Sequence, residues 1–391
     1  MVRGPRESET DAMIEQLDAV CDIIVRNREI AEDTARLAPE VREAAGPAGL
    51  WVLAAPKEVG GLELPLPDLI AVCERLGEAD ATVAWHVSNS VCLGHTSARL
   101  PAPERAAVYA EVDAPYGFSG APAGGMTATR DGDGYRIDGT WPFMTGAADV
   151  RWAIANVAIT SMGAPSGAPP EVRKVVVPMS ALEVHDNWAA ASGMRGTGSH
   201  AVSAHDVYVP GNRSVALTAE PLIDRPLFRV QPHVLGLTTG VAVAIGTLRS
   251  AIAGVVDLVA HKVSRIDGHA HSDDPRVQQT VGDATAAAVF LSAGLARLSE
   301  EYWSAIVDGG FPAVETRARL WSAVFAGVDV ARQQVSNLYA VATSRAYASR
   351  NPVDRALRDV HAINAWADSL QSLRRSAGLT LLGHETTHPM L

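Results

Sequence analysis

One block of about a hundred residues, beginning near residue 116, sets this chain apart from a simple helical protein. Within it, MTATRDGDGYRIDGTWPF alternates in polarity around a DGDG turn, which is the pattern of a hairpin. VRWAIANVAI, VRKVVVP, LEVHDNW and HAVSAHDVYVP follow as short strands, with the Pro/Gly loop SMGAPSGAPPE between the first two. Closely spaced short strands predict a small β-barrel or sandwich. On both sides the period changes to that of helices. Met13, Leu17, Val20, Ile24 and Ile30 recur at helical spacing, with Ser8 or Thr10 as the cap, and Ala44–Leu53 continues in the same style. PKEVGGLELPLPD interrupts, Asp68 can cap a helix through LIAVCERLGEAD, and 81–97 is apolar on most sides. Beyond residue 230, segments 233–262, 275–308, 312–348 and 352–382 read as four long helices of a bundle, separated by IDGHAHSDDP, DGGFP and SRNP. The expected class is α+β in three parts: helical 1–115, β 116–225 and a four-helix bundle 226–391.

Composition narrows what such a chain does. Lys+Arg number 33 and Asp+Glu 44, a formal charge of −11, which argues against a general nucleic-acid binder or a polybasic membrane-surface protein. With 47% hydrophobic and 20% charged residues, disorder as the overall state is excluded. Cys21, Cys73 and Cys92 are far apart and form no CxxC, which fits a reducing, cytoplasmic setting. The opening MVRGPRESETDAMIEQ carries charges where a signal peptide needs an apolar run. The apolar stretch 235–248 is Gly/Thr-rich, is followed at once by Arg249, and falls short of the roughly 20 residues that cross a bilayer, so it reads as a buried helix.

Several residues carry candidate chemistry. Trp141, Phe143 and Thr145 share one face of a strand and lead into Gly146. GMRGTGSH, from Gly193 to His200, is neither a Walker loop nor GxGxxG. Its glycines allow positive φ, and its amides with Thr197 and Ser199 can hold an anion, or else form a tight turn. His384 and His388 are spaced as a helical metal pair, but HETTHPML, with Thr-Thr and a Pro, is a poor helix and offers no third ligand. His269 and His271 lie in a solvated polar loop, so no metal is expected.

Four strings, taken in order, resemble the acyl-CoA dehydrogenase family, and within it the flavin-dependent monooxygenase branch that works with a separate reductase. They are PKEVGGLELPLPDLIAVCERLGEADATVAW, DGYRIDGTWPFMTG, NWAAASGMRGTGSHAVSAHDVYVP and NPVDRALRDVHA. The resemblance implies a reduced flavin, FMN rather than FAD, supplied by a flavin reductase, because no nicotinamide-binding Rossmann pattern is present. It implies O2 and an aromatic or polyketide-like small molecule as co-substrates, and a homodimer or homotetramer. Trp141, Phe143, Thr145, Gly146, Thr197 and Ser199 would then meet the flavin ring. Arg265 and Gln278 would meet its phosphate, and Trp85, Trp366 and His361 would border the substrate.

The branch often places a His seven residues beyond the Arg-Asp pair. Here Arg358-Asp359 is followed at that distance by Trp366, which has no basic site. His361 lies roughly 140° round the helix from it, so His86 and His233 are the remaining candidates for acid–base work, with Thr145 as the hydroxyl at the reacting edge. Two alternatives stay open. One is an FAD-dependent acyl-CoA dehydrogenase, against which stands the absence of a Glu-Gly in the last helix, where Asp368 is the only acid. The other is a member that has lost redox chemistry and acts as a cyclase or binding protein.

Overall fold

The computed structural model describes residues 5–110, 117–119, 125–160, 171–260, 262–263, 268–342, 344–347, 351–386, 388 and 390–391. The helices are α1 (Pro5–Thr34), α2 (Pro39–Ala45), α3 (Leu66–Ala79), α4 (Ala81–Ser97), α5 (Ala102–Val108), α6 (Pro226–Arg229), α7 (Pro232–Ala260), α8 (Pro275–Val307), α9 (Val314–Val341), α10 (Pro352–Asp368) and α11 (Gln371–Leu381). The strands are β1 (Gly117–Ser119), β2 (Met126–Asp131), β3 (Gly134–Met144), β4 (Trp152–Ile159), β5 (Val172–Pro178), β6 (Glu183–His185), β7 (His200–Val209) and β8 (Ser214–Ala216). They form two compact units. One comprises Met1–Leu64, His86–Ala191 and Arg195–Pro232; the other comprises Pro65–Trp85, Ser192–Met194 and His233–Leu391.

The first unit is built on a single sheet in the order β6-β7-β3-β2-β4-β5-β8, with β1 beside β4. β2 and β3 form the expected hairpin, Asp131 opposite Gly134, with Gly132 at φ +58 in the turn. Among the described residues the sheet shows no pairing of β6 with β8. It curls enough for Met126, Ile137, Trp141, Val157, Val175 and Val202, from five strands, to share one core. Ahead of the sheet, the helix expected over Ala44–Leu53 stops at Ala45. Gly46, Pro47 and Gly49, the last at φ +71, turn the chain instead.

The second unit groups α3 with α7–α11. This places α3 with the bundle rather than with the N-terminal helices that precede it in sequence. The reason is a close crossing of α3 and α7: a Cβ on Gly77 would stand 2.8 Å from the Val243 carbonyl oxygen, and one on Gly246 would stand 2.2 Å from the Glu74 carbonyl oxygen. Each glycine costs a helix up to about 1 kcal/mol, which the backbone-to-backbone packing offsets. Arg249 on α7 adds an ion pair to Glu74 at 2.9 Å, and Ser292 of α8 donates to the same carboxylate at 2.6 Å.

Asp68 lies inside the first turn of α3, with Pro65 as the cap residue. The capping carboxylate is Asp80, which accepts the Thr82 amide at 2.8 Å and the Val83 amide at 3.3 Å at the start of α4. The segment 352–382 is two helices, not one. The Ser369 amide and hydroxyl both donate to Trp366 O, and the Gln371 side-chain Nε2 donates to the Asp368 carboxylate. These local bonds replace the next helical turn.

Candidate active site

In the first unit, β3 delivers Thr145 and Gly146 just past its end. The expected common face of Trp141, Phe143 and Thr145 is not formed. Pairing with β7 runs from Trp141↔Val202 to Met144↔His200, so β3 carries one extra residue there, a β-bulge. Trp141 is therefore turned into the sheet core, 1% exposed, with its indole N–H donating to Asn156 O at 2.8 Å. Buried in that way, it is part of the scaffold under the turn and has no face to offer a flavin. Phe143 is thrown the other way, 63% exposed at φ +61. Left-handed backbone costs a bulky L-residue about 1–2 kcal/mol. Its uncovered ring meets Trp188 edge-on, with centroids 5.9 Å apart.

Two residues beyond Phe143 along the chain, Thr145 opens a row of three buried hydroxyls. Thr145 Oγ1 lies 3.2 Å from Ser199 Oγ, and Ser199 Oγ lies 2.7 Å from Thr197 Oγ1. The Gly146 amide donates to Thr197 O at 2.8 Å, which ties the end of β3 to the GMRGTGSH loop. Gly146 must be glycine: at φ +74, a Cβ would stand 2.7 Å from Val150 and 3.0 Å from Cε1 of His86. His86 is fully buried, and its Nε2 lies 3.4 Å from Gly196 O. Donation to that carbonyl selects the Nε2–H tautomer, leaving Nδ1 as the basic atom. Thr145, Gly146, Thr197, Ser199 and His86 are thus brought together.

The loop's own cation is not free for an anion. Arg195 donates to the carbonyls of Glu32 (2.9 Å), Ala189 and Ala191. His200, unnoticed in the sequence, is a second anchor: its Nδ1 accepts the amides of Asn187 and Trp188 at 3.2 Å each, which fixes Trp188 against Phe143. No periodicity signals this role, because the partners lie across a turn.

In the second unit, α10 presents Trp366 to Trp85. The rings meet edge-to-face at 5.1 Å and 88°. Trp366 lies across Gly240 of α7, where a Cβ would come within 2.6 Å of Cη2. The neighbouring Thr238 and Thr239 spend their hydroxyls on Val234 O and Leu235 O at 2.7 Å each, so that stretch of α7 shows little besides hydrocarbon. Both tryptophans are half-buried.

His361 is exposed. Partial burial and then the neighbouring Arg332 lower its pKa. His233, at the start of α7, packs on Trp321 at 5.4 Å. Gln278 is exposed, and its amide nitrogen donates to Ser272 O at 3.0 Å. Arg265 lies outside the described residues.

The Arg-x-x-Arg-Asp string of α10 is structural. Asp359, 2% exposed, accepts the amide of Met194, a residue held at φ +53. Arg358 donates to Ser192 O at 2.7 Å, and Arg355 faces the buried Asp80 at 3.9 Å. Gly193 permits the contact, since a Cβ would stand 2.2 Å from Arg358 O. Asp368 is exposed and accepts from Asn364 and Gln371. Among the described residues, no three His, Cys, Asp or Glu side chains are grouped to hold a metal.

Family models for the acyl-CoA dehydrogenase N-terminal domain match residues 8–102, and for the C-terminal domain residues 238–369, together more than half of the chain. The chain belongs to the acyl-CoA dehydrogenase family. A curated relative, the flavin-dependent monooxygenase oxygenase subunit HsaA of Mycobacterium tuberculosis, is 25% identical over 372 residues, covering 91% of each chain. Among solved structures, XiaF from Streptomyces sp., in complex with FADH2 and glycerol, matches with a TM-score of 0.85 and 22% identity over 99% of both chains. TdsC from Paenibacillus sp. A11-2, with FMN and indole, matches at 0.79 and 20% identity over 97% of this chain and 98% of that one. HsaA is thus named as an oxygenase subunit, and TdsC as a dibenzothiophene monooxygenase.

Proposed function

We propose that this protein is a flavin-dependent monooxygenase, the oxygenase half of a two-component system, acting on a flat aromatic small molecule. The observation that carries the reading is the pairing of an uncovered, conformationally strained aromatic, Phe143, with the buried Thr145–Ser199–Thr197 hydroxyl chain. A flavin ring is apolar on its faces and polar along one edge, and this arrangement offers an aromatic cover beside hydroxyl donors and acceptors. Phe143 and Trp188 would cover the ring, and Thr145 would hydrogen-bond its polar edge. Bound reduced flavin would supply two electrons to O2, so that one oxygen atom enters the substrate and the other leaves as water. Two protons accompany those electrons. His86, with Nδ1 basic, is the group in this unit suited to hold or pass one of them.

Reduced FMN delivered by a partner reductase is the proposed cofactor. The FMN complex of TdsC supports it, and the FADH2 complex of XiaF keeps FAD as the comparison. The substrate is proposed to be aromatic, of the indole or phenol size, hydroxylated on carbon or oxidised at a heteroatom. Trp85 and Trp366 are proposed as its apolar wall. Dehydrogenation of an acyl thioester finds no support in the last helices, where Asp368 is solvated and already hydrogen-bonded. The three cysteines are buried thiols that form no disulfide, in keeping with a reducing cytoplasm. A homodimer or homotetramer completes the proposal.

Anaerobic titration with reduced FMN and reduced FAD, followed by O2 and indole, tests it. Tight binding of a reduced flavin and a product heavier by one oxygen atom are expected. Thr145→Val and Ser199→Ala should each weaken flavin binding about five- to tenfold, as expected for a lost hydrogen bond of about 1–1.5 kcal/mol. A protein that binds neither reduced flavin defeats the reading.

A further inference from the structure

The sheet carries a group of polar side chains that the flavin reading does not use. Val202 and Ala204 of β7 point into the sheet core, so Ser203 between them faces the other way. Register places Thr140 of β3 on one side of Ser203 and Glu183 of β6 on the other. His185 follows Glu183 by two residues and so shares its face. Side chains from the neighbouring strands β6, β7 and β3 therefore meet on the face turned away from the core.

Their distances give each a role. Ser203 Oγ lies 2.7 Å from His185 Nε2 and 2.8 Å from Thr140 Oγ1. His185 Nδ1 lies 4.0 Å from one oxygen of Glu183, and the other oxygen lies 3.4 Å from His205 Nε2. The carboxylate beside Nδ1 selects the tautomer with the proton on that nitrogen, which leaves Nε2 as an acceptor. Thr140 then donates to Ser203, and Ser203 donates to His185. A hydroxyl aimed at one imidazole nitrogen, with a carboxylate behind the other, is the arrangement that activates a serine for attack on a carbonyl. The spacing at Glu183 is of the loose kind that tightens once a ligand is bound. Ser203 itself is 3% exposed, while Thr140 and Glu183 beside it are exposed and His185 is partly so. Only a slim acyl group can pass these neighbours to reach Oγ.

We propose that Ser203, His185 and Glu183 form a second, hydrolytic site that cleaves small carboxylic esters without flavin. Ser203 Oγ bonds to the acyl carbon as its proton passes to His185 Nε2. The bond from that carbon to the alcohol oxygen breaks, and the alcohol leaves with the proton. Water then attacks the acyl-serine, giving one proton to Nε2, and the carboxylic acid leaves as Ser203 regains its hydrogen. The Thr140 hydroxyl, 2.8 Å from Oγ, is placed to donate to the oxyanion formed in each step. Ser203 and His185 are the catalytic residues, and Glu183 is a positioning residue that holds the His185 tautomer. The proposal is independent of the flavin reading.

Two measurements on the full chain, with no flavin added, test it: hydrolysis of p-nitrophenyl acetate, and labelling by phenylmethylsulfonyl fluoride mapped by peptide mass spectrometry. The ester should turn over repeatedly, and the label should lie on Ser203. Ser203→Ala and His185→Gln should each lower kcat/KM about a hundredfold or more, with the circular dichroism spectrum unchanged. Glu183→Gln should lower kcat about tenfold or more with KM unchanged, whereas Glu183→Asp, which keeps the carboxylate, should lose less. Labelling of the wild type does not depend on any variant folding. A wild type that takes no label at Ser203 overturns the proposal. So does a Ser203→Ala variant that hydrolyses the ester as fast as the wild type, and so does a wild type no faster than free imidazole at equal concentration.

Discussion

Gly240→Ala isolates the contribution of the Trp85–Trp366 pair with little change in stability. A methyl on residue 240 would start 2.6 Å from Cη2 of Trp366 and 2.7 Å from Cζ3. Carbon atoms settle at about 3.5–4.0 Å, so the indole must withdraw by about 1 Å. The atoms met are the far end of a half-buried side chain rather than backbone, so the ring takes up the shift. The cost is most of the edge-to-face contact with Trp85, about 0.5–1.5 kcal/mol. Against this, replacing a mid-helix glycine by alanine returns about 0.8–1 kcal/mol. The two cancel to within about 1 kcal/mol, and the melting temperature should move by no more than about 2–4 °C. Turnover should respond far more, because misplacing a wall by about 1 Å costs up to about a hundredfold. With indole as probe, the kcat/KM of Gly240→Ala should fall about tenfold or more, mostly through KM, while binding of reduced flavin stays as in the wild type. Gly240→Ala combined with Trp366→Phe, which removes the clashing ring edge, should regain part of the loss. A melting temperature lowered by more than about 5 °C, or an unchanged KM for indole, would refute the reasoning.

Three further outcomes follow from the same structure. Gly246→Ala should destabilise the protein by about 3 kcal/mol or more in chemical denaturation, because its methyl meets backbone at 2.2 Å that cannot yield, whereas Gly378→Ala, with open space around it, should stabilise by up to about 1 kcal/mol. Asp359→Ala removes a buried acceptor from the Met194 amide and should cost about 2–4 kcal/mol, with faster hydrogen exchange or proteolysis around residues 192–199 as the readout; Asp359→Asn, which keeps an acceptor oxygen, should lose less. Hydrogen bonding from Arg225, then from its own backbone, lowers the Glu58 carboxyl from its usual value to about 2. A lowered native pKa means the stabilisation is fully present above about pH 4.5 and is lost as the pH falls towards 2. Thermal unfolding of Glu58→Gln should therefore lie below the wild type at neutral pH and converge with it near pH 2, by a small margin, since the pair is partly solvated.

Much of this architecture was legible in residue periodicity. The hairpin, the strands β4 to β7 and the helix over 81–97 follow from alternation, helical spacing and turn residues, whereas β1 and β8, three residues each, carry no such pattern. Features that depend on a distant partner were not. Nothing local in TWPFMT shows that a bulge sends Trp141 inward and Phe143 outward, because the extra residue exists only relative to β7. The Arg-x-x-Arg-Asp string was visible as a resemblance, but its physical work, holding Met194 from 165 residues away, needed the fold. The break after Asp368 contains neither Gly nor Pro, and it arises from Ser369 and Gln371 bonding to their own neighbours.

The Thr145–Ser199–Thr197 chain has a property that single hydrogen-bond donors lack. Each hydroxyl both gives and receives, and its proton can rotate without displacing a heavy atom. Turning all three rotors together reverses the polarity of the whole chain, so that the Thr145 end offers a lone pair in one setting and a proton in the other. A ligand atom that carries hydrogen in one oxidation state and loses it in the next would find a matched partner on both occasions. The backbone ties at Gly146 and Gly198 would stay intact throughout. Rigidity of the oxygen positions and freedom of the protons are thus combined in the same three side chains.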